Sequence, residues 1–333
     1  MQFLTNVNID FMKQRKAATY ISLALILIGI VSLIFHGGPQ YGIDFLGGIE
    51  LRLNFDKPVD IGIVRRALSN AGFKNSMIKE LAGESETGSD VIVFVQQDAT
   101  APMSSLADST AAKGDISLQI EKALETEFSD NPFRETSKNL VGPKIGGELR
   151  DAAIKAIFIA LILILVYISW RFEFRFAVGA IAALFHDVLI TLGVFSLLNL
   201  EITLAIVAAF LTIVGYSLND TIVVFDRVRE NMKVMRRESF FTILNQSINQ
   251  SLSRTVITSV TTLFVVLFLY FFGGEVIKYF AFAMIIGVLV GTYSSIYIAS
   301  PVVLAMYLRS EGNKNRKPQT DRRHSKKATA KSR

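Results

Sequence analysis

The sequence contains no cysteine among its 333 residues. Disulfide frameworks, thiolate nucleophiles, cysteine zinc sites and iron–sulfur clusters are therefore excluded. With three histidines, a histidine-rich metal site is not expected either. The motifs GxxxxGK[ST], HExxH and GxSxG are absent, so nucleotide-driven and hydrolytic mechanisms lack sequence support. We expect a protein that is not an enzyme, with no catalytic residues, cofactor or metal, and with an ion gradient as its energy source.

Long apolar runs dominate what the chain does contain. Apolar residues make up 51% of the sequence and the net charge is +6. A helix that crosses a membrane needs about 20 mainly apolar residues. The predicted spans are residues 17–35, 152–170, 176–200, 202–225, 255–274 and 279–308. The first follows basic residues, as a signal peptide does, but it is longer than a usual signal sequence and no A-x-A cleavage site follows, so we interpret it as a retained anchor.

The distribution of Lys and Arg predicts the orientation of the spans. These residues concentrate in residues 1–16, in the connections after spans two and four, and after residue 308, whereas the short opposite connections hold one lysine, Lys278. Basic residues that flank spans stay on the cytoplasmic side. We therefore predict a multi-pass membrane protein with both termini in the cytoplasm.

The C-terminal residues 309–333 are basic and nearly free of apolar side chains, so a disordered cytoplasmic tail is predicted. Attraction to anionic lipids explains such a tail without a specific nucleic-acid ligand. A ribosome-facing role is an open alternative.

Residues 36–150 form the long segment on the far side and are predicted to be an acidic exported domain. Apolar alternation predicts strands, and helical spacing predicts helices. The predicted strands are 49–55, 77–81, 90–96 and 135–141, and the predicted helices are 59–71 and 116–128. This βαββαβ order is that of a ferredoxin-like α+β domain. Residues 98–113, rich in Ala, Ser, Asp and Thr, are predicted to be a mobile loop. The fold class is thus a six-helix membrane protein with an exported ferredoxin-like domain between helices one and two.

A GxDFxGG string opens the exported domain. Its candidate residues are Gly42, Asp44, Phe45, Gly47 and Gly48. Glycine permits positive φ and close approach of a neighbouring backbone, so the string is either a turn and nothing more or one of two hinges. Gly142 and Pro143 mark the other end of the domain. Our hypothesis is that the domain tilts on these two tethers.

Two aspartates lie inside predicted spans, where a charge is costly. Asp187, preceded by His186, lies near the middle of span three. A central aspartate costs about 2.5 to 3.5 kcal/mol and usually faces the bundle interior, pairs or binds a proton. A neutral packing role in hydrogen-bonded surroundings is an equally open alternative for Asp187.

Asp220 lies one to two turns inside span four, next to Asn219 and on one helical face with Ser217. Arg254 opens span five from the same side, so a pair is sterically possible. A guanidinium that moves toward and away from a buried carboxylate switches it between releasing and holding a proton. That is the chemistry of a proton relay, and a static salt bridge is the alternative. A solvated cytoplasmic cap is predicted at Asp226, Arg227 and Arg229.

Four motifs together resemble the bacterial SecD/SecF family of the RND superfamily, on its SecF side. They are GxDFxGG at 42–48, VGPxxGxEL at 141–149, the His186-Asp187 pair and VGYSLNDTIVVFDRVREN at 214–231. The resemblance implies an accessory subunit of the Sec protein translocase that joins SecD and works with the SecYEG channel, YajC and YidC. It also implies that the proton motive force promotes completed translocation of an unfolded preprotein. In that reading Asp220 and Arg254 carry proton coupling, and SecD supplies another essential carboxylate.

Two other functions stay open on sequence grounds. A small-molecule exporter of the RND type shares the six-span bundle, but one modest exported domain lacks the large paired porter domains of such pumps. A passive membrane scaffold makes every buried charge structural. It predicts that Asp220→Asn leaves export intact.

Overall fold

The structure is a computed structural model that describes residues 8–73, 76–81, 88–95 and 111–316. It divides into two compact units. The sheet unit comprises Gln40–Ala156 together with Glu201–Leu204, and the helical unit comprises the N-terminal residues up to Pro39, Ile157–Leu200 and the chain from Ala205 onward. The predicted exported domain thus gains four residues that are remote in sequence.

Six helices in the described part of the chain are long and apolar enough to cross a membrane, as predicted. The first five are α1 (Arg15–Phe35), α5 (Pro143–Arg171), α6 (Phe174–Leu197), α7 (Leu204–Val234) and α8 (Phe240–Phe272). The sixth consists of α9 (Glu275–Ser294), a π-helical turn (Ser295–Ala299) and α10 (Ser300–Arg316). Pro301 has no N–H to donate, which favours an irregular turn before it. The Ser300 hydroxyl donates to the Ser295 carbonyl oxygen at 3.0 Å.

The helices extend beyond the predicted spans because helical hydrogen bonding continues past the apolar run into polar sequence. Helix α8 begins at Phe240 rather than 255, where the Ser239 side chain caps it by accepting from the Thr242 N–H. Helix α10 continues to Arg316, so residues 309–316 of the predicted disordered tail are helical. Residues 317–333 lie outside the described part of the chain.

Small residues let the membrane helices approach closely. A Cβ built on Gly29 of α1 would lie 2.8 Å from the Cα of Gly193 on α6, and the hydroxyls of Ser32 and Ser196 are 2.9 Å apart on the same pair of helices. Where lipid replaces water, such close packing and interhelical hydrogen bonds stabilise the association of helices. These contacts fix α1 against α6.

The N-terminal segment before α1 packs onto α8. Met12 is fully buried in the core of the helical unit. Its backbone N–H donates to the Asn245 side chain at 3.2 Å, and the Ile9 N–H donates to Asn249 at 2.9 Å. Residues 9–12, which the sequence indicated only as part of a cytoplasmic N-terminus, therefore have a fixed place on the N-terminal half of α8.

Replacing Met12 by alanine is expected to destabilise the protein by about 2–5 kcal/mol, the usual cost of a buried methionine side chain. The measurement is the midpoint of thermal unfolding of the purified protein in detergent. The matched control is Lys13→Ala, because Lys13 is exposed. A midpoint in Met12→Ala equal to that of Lys13→Ala would contradict the packing role.

The sheet unit has the predicted βαββαβ order. Its strands are β1 (Gly48–Phe55), β2 (Ser76–Leu81), β3 (Ser89–Val95) and β4 (Phe133–Val141), and its helices are α2 (Ile43–Leu46), α3 (Ile61–Asn70) and α4 (Ala111–Glu127). The strand order is β2-β3-β1-β4 with antiparallel neighbours, which is the ferredoxin-like arrangement.

The core of the sheet unit lies between one sheet face and two helices. Alternate residues of β1, from Ile49 to Phe55, are buried against Val64 and Leu68 of α3 and against Leu124 of α4. Most of the predicted mobile loop 98–113 lies outside the described residues. Its last three residues are the first turn of α4, since Ala and Lys there favour a helix.

Candidate functional site

Asp187 lies at the centre of a hydrogen-bonded network that joins three membrane helices. Its carboxylate is 1% exposed. Oδ2 accepts from the Ser217 hydroxyl of α7 at 2.5 Å and from the Ser294 hydroxyl of α9 at 2.8 Å. Oδ1 lies 2.9 Å from Nδ1 of His186, whose ring stacks on Tyr293. A carboxylate with three partners is satisfied within the bundle, so this arrangement fixes α6, α7 and α9 relative to one another.

Asp220 lies one helical turn beyond Ser217 on α7, and it is as deeply buried as Asp187. Its surroundings differ, because Oδ2 has no hydrogen-bond partner within the described chain. The hydroxyls of Thr258 and Ser259 on α8 face this carboxyl group, and the charge of Arg254 acts on it. Asp220, unlike Asp187, therefore has a carboxylate oxygen that can still accept a hydrogen bond or a proton.

Arg254 is exposed at the side of α8. Among the ion pairs between described residues, none joins its guanidinium to Asp220. The pair that the sequence allowed is therefore an electrostatic interaction across a gap. Because the Arg254 side chain is long and exposed, its guanidinium is free to move toward Asp220 and away from it.

Further polar atoms around Asp220 are also without partners. Two buried hydroxyl oxygens have no hydrogen-bond partner within the described residues: Thr221 Oγ1 on α7 and Thr255 Oγ1 on α8. Such atoms are costly in an apolar interior. Ser259, in contrast, is 2.6 Å from the Thr292 hydroxyl of α9. A polar seam therefore runs between α7, α8 and α9.

Sequence reasoning missed Thr258, Ser259 and Ser294 as members of this site. The only available signal was the presence of hydroxyl residues inside apolar runs, which is common in membrane helices. Their contacts with aspartates depend on how helices remote in sequence pack. No spacing rule within one helix predicts that.

The predicted cytoplasmic cap lies at the surface. Arg171 Nη2, at the end of α5, is 3.3 Å from Asp226 Oδ1 on α7. Arg227 pairs with Glu230 at 2.9 Å, and Arg229 donates to the Arg171 carbonyl oxygen at 3.4 Å. Exposed pairs of this kind contribute little individually, so the cap serves mainly to join the ends of two helices.

Asn219, the neighbour of Asp220, is exposed on the outer surface of α7. Exposed small or polar residues recur there with helical spacing at Ala208, Thr212, Gly215 and Asn219, and we call these four residues the α7 small-residue face. A Cβ added to Gly215 would meet nothing within 4 Å. The face is therefore open to a close neighbour.

The GxDFxGG string folds onto the connection between α6 and α7 within the sheet unit. The Gly42 N–H donates to the Ile202 carbonyl oxygen at 2.9 Å, and the Ile202 N–H donates to the Gln40 carbonyl oxygen at 2.6 Å. Asp44 Oδ2 accepts from the N–H of Leu204, the first residue of α7, at 2.8 Å. The string is thus more than a turn, because its Asp44 side chain caps the first residue of α7.

The other residues of the string shape its path into β1. Phe45 is buried within the one-turn helix α2. Gly47 and Gly48 have φ values of 70° and 146°, a region that favours glycine. A Cβ on Gly146 would lie 2.9 Å from the Phe45 carbonyl oxygen, so a third glycine permits close packing here.

Gly142 and Pro143 do not interrupt the chain before the second span. Pro143 opens α5, which continues to Arg171 without a break. Proline is tolerated in a first helical turn because its missing N–H would have no partner there. The second predicted tether is thus the start of a continuous helix, and the proposed tilting stays a prediction.

Glu50 on β1 is the perturbed carboxyl group of this region. Burial raises its pKa, and Arg52, whose Nε is 3.7 Å away, opposes the shift. The nearby Glu201 raises the pKa further. Glu50 therefore stays protonated to a higher pH than an exposed glutamate.

Replacing Asp44 by alanine is expected to loosen the first turn of α7. Loss of an N-terminal cap costs about 1 kcal/mol, so backbone amides at the start of α7 should exchange hydrogen about fivefold faster. Asp44→Asn should retain most of the protection, because asparagine caps equally well. Hydrogen exchange of the purified protein is the measurement.

The matched control is Asp60→Ala, which removes the side chain that caps α3 through the Gly62 N–H. It should speed exchange in α3 and leave α7 unchanged. Unchanged exchange at the start of α7 in Asp44→Ala would show that the contact does not stabilise that helix.

Comparison with known proteins gives consistent matches over most of the chain. The family model described as "Protein export membrane protein SecD/SecF, C-terminal" matches residues 119–309, and the SecD/SecF GG motif matches residues 32–59. The protein translocase subunit SecF of Magnetococcus marinus is 44% identical over 91% of this chain and 94% of its own length. That of Rhodothermus marinus is 43% identical over 93% of this chain and 97% of its own length.

Solved structures of SecDF resemble the fold. The crystal structure of SecDF from Thermus thermophilus, described as a translocon-associated membrane protein, matches with a TM-score of 0.76 and 37% identity, over 92% of this chain and 40% of that one. SecDF in its super-membrane-facing form matches with a TM-score of 0.66 and 37% identity, over 96% of this chain and 41% of that one. The chain therefore spans about two fifths of the SecDF chains.

Proposed function

This chain belongs to the SecD/SecF family of protein-export membrane proteins, and from that premise we propose that it uses the proton motive force to promote completion of preprotein translocation. Its relatives are named protein translocase subunit SecF, which supports an accessory role in Sec transport. The proposal assigns the energy source and the step that is driven.

The observation that carries the proposal is the environment of Asp220. A carboxyl group buried among apolar helices, with one oxygen unpaired and an exposed arginine nearby, has two accessible states. It holds a proton while the guanidinium is distant and releases it when the guanidinium approaches. A proton that crosses 100 mV supplies about 2.3 kcal/mol, which is enough to bias a conformational equilibrium by more than tenfold.

The route from Asp220 to the exported side is the helix α7 itself. Leu204, capped by Asp44, and Asp220 belong to the same helix, about 24 Å apart at ~1.5 Å per residue. Because α7 continues without a break from Leu204 to Asp220, we propose that a change in packing at Asp220 is passed along this helix. The string in turn leads directly into β1 of the sheet unit, which we propose acts on the unfolded preprotein.

The partner of this chain in the proposal is SecD. The solved SecDF chains are more than twice as long as this chain, and a separate SecD would supply the corresponding part together with its own essential carboxylate. The α7 small-residue face is the docking surface that we propose for SecD, because small residues permit close helix contact in lipid. SecYEG, YajC and YidC complete the proposed assembly.

The proposed location is the bacterial inner membrane with both termini in the cytoplasm. The basic residues at the start of α1 and beyond α10 support this orientation. The sheet unit is then exported. No resident cofactor forms part of the proposal, since the coupling ion is the proton.

The test measures how fast a preprotein completes its passage in vesicles that carry SecYEG and SecD, with and without this chain and with and without an imposed proton gradient. We expect this chain to add a component of export that disappears when the gradient collapses. Equal export with and without the chain would refute the proposal. Efflux of small molecules in place of export would support an RND-type exporter.

A further inference from the structure

A groove opens between the start of α1 and helix α10 in the helical unit. Its volume is about 440 Å³. One end is basic and the rest is apolar, and the residues that define this character are Arg15, Lys16, Tyr20, Leu304, Ala305 and Leu308. This size suits one small ligand or one lipid chain, whereas a helix with its side chains, about 10 Å across, would not fit.

The two cations at the groove differ in how firmly they are held. The Arg15 guanidinium donates to the Met12 carbonyl oxygen at 2.8 Å and lies over the Phe241 ring, 5.3 Å from its centroid. Lys16 is exposed and pairs with no acidic side chain among the residues that the structure describes. The groove thus has an anchored cation, Arg15, beside an unpaired one, Lys16, and its described lining contains no acidic side chain.

The position of the cations within the fold points to a ligand that is anionic at one end and apolar at the other. Arg15 begins a membrane-spanning helix, so the charged end of the groove lies where apolar sequence starts. Leu304, Ala305 and Leu308 of α10 supply apolar side chains to the wall of the groove. A small soluble anion would use the cations and leave this wall exposed.

We propose that this groove binds an anionic phospholipid, with the headgroup phosphate on Lys16 and Arg15 and one acyl chain against the apolar side chains that α10 contributes. Basic pockets between membrane helices bind such headgroups through charge attraction. The site lies on α1 and α10, away from Asp220, and it tethers the first and last spans to the same lipid molecule.

The chain offers a clean fluorescence reporter for this site, because Trp170 is its only tryptophan. In a Trp170→Phe background, Tyr20→Trp places the reporter in the groove. The full chain is incorporated into lipid nanodiscs that contain either phosphatidylglycerol or phosphatidylcholine with brominated acyl chains. We expect the apparent association constant of the groove to be about fivefold higher for phosphatidylglycerol than for phosphatidylcholine. That ratio is the contribution of one lysine near an anionic membrane surface.

The variant Lys16→Gln should remove most of this preference, and the matched control Lys13→Gln, which changes an exposed lysine of the same segment, should retain it. Equal quenching by both lipids, absence of quenching, or a preference that survives Lys16→Gln combined with Arg15→Gln would overturn the proposal. So would loss of the preference in Lys13→Gln, which would indicate general surface charge. Excess inorganic phosphate, at constant ionic strength, should leave the quenching unchanged, and competition by phosphate would mean that the site takes a soluble anion instead.

Discussion

Changing Asp220 to asparagine is expected to abolish the part of protein export that depends on the proton gradient, while the complex with SecD still assembles. Asparagine has the same shape but cannot ionise, so the exchange of a proton at this position stops. A neutral amide is less costly to bury than a carboxylate, so the fold should be retained. The measurement is the half-time for completing preprotein passage in vesicles, with the gradient present or collapsed by an ionophore.

The matched control is Asp226→Asn on the same helix. Asp226 lies in an exposed pair with Arg171, so gradient-dependent export should be unchanged in that variant. Arg254→Ala should reproduce the loss expected for Asp220→Asn, because in the proposed relay it removes the charge that favours proton release. Full gradient dependence in both Asp220→Asn and Arg254→Ala would favour the passive scaffold and would place the coupling in another subunit.

The two buried aspartates illustrate how far the sequence predicts the site. Asp187 and Asp220 interrupt apolar runs, where burying a charged side chain costs free energy, so the sequence identified them as candidate functional residues. Both are buried in the structure. The sequence favoured Asp220 as the relay through its neighbour Arg254, but it left the role of Asp187 open. Their difference arises from Ser217 and Ser294, which saturate Asp187, and this depends on the packing of three helices.

For the fold too, the sequence predicts the features that depend on local patterns and misses the contacts between residues remote in sequence. Alternating residues in β1 and β3 determine which face is buried, so the βαββαβ order could be predicted from local pattern. The contact of Asp44 with Leu204 joins residues 160 positions apart, and nothing in either segment alone indicates it. Helices α7 and α8 extend beyond the predicted spans, because the length of an apolar run reflects membrane thickness and a helix can continue past it.

The α7 small-residue face makes a separate prediction about assembly. Its residues face away from the helical unit, and each has a side chain small enough for another helix to approach. The exposed surfaces of α1, α5 and α8 carry many large side chains of Leu, Ile and Phe. Helix contacts in lipid depend on small residues because their gain comes from close packing, so this face is suited to a protein neighbour.

Replacing Gly215 by leucine is therefore expected to reduce the amount of SecD that co-purifies with this chain by at least about tenfold, as the added side chain prevents close helix contact. The chain itself should fold normally, because a Cβ at Gly215 meets nothing within 4 Å. The control Ala24→Leu enlarges an exposed residue of α1 and should leave co-purification unchanged. Normal recovery of SecD with Gly215→Leu would exclude this face as the docking surface, whereas loss with both variants would indicate a general effect on insertion. A selective loss would place the SecD contact on the same helix as Asp220.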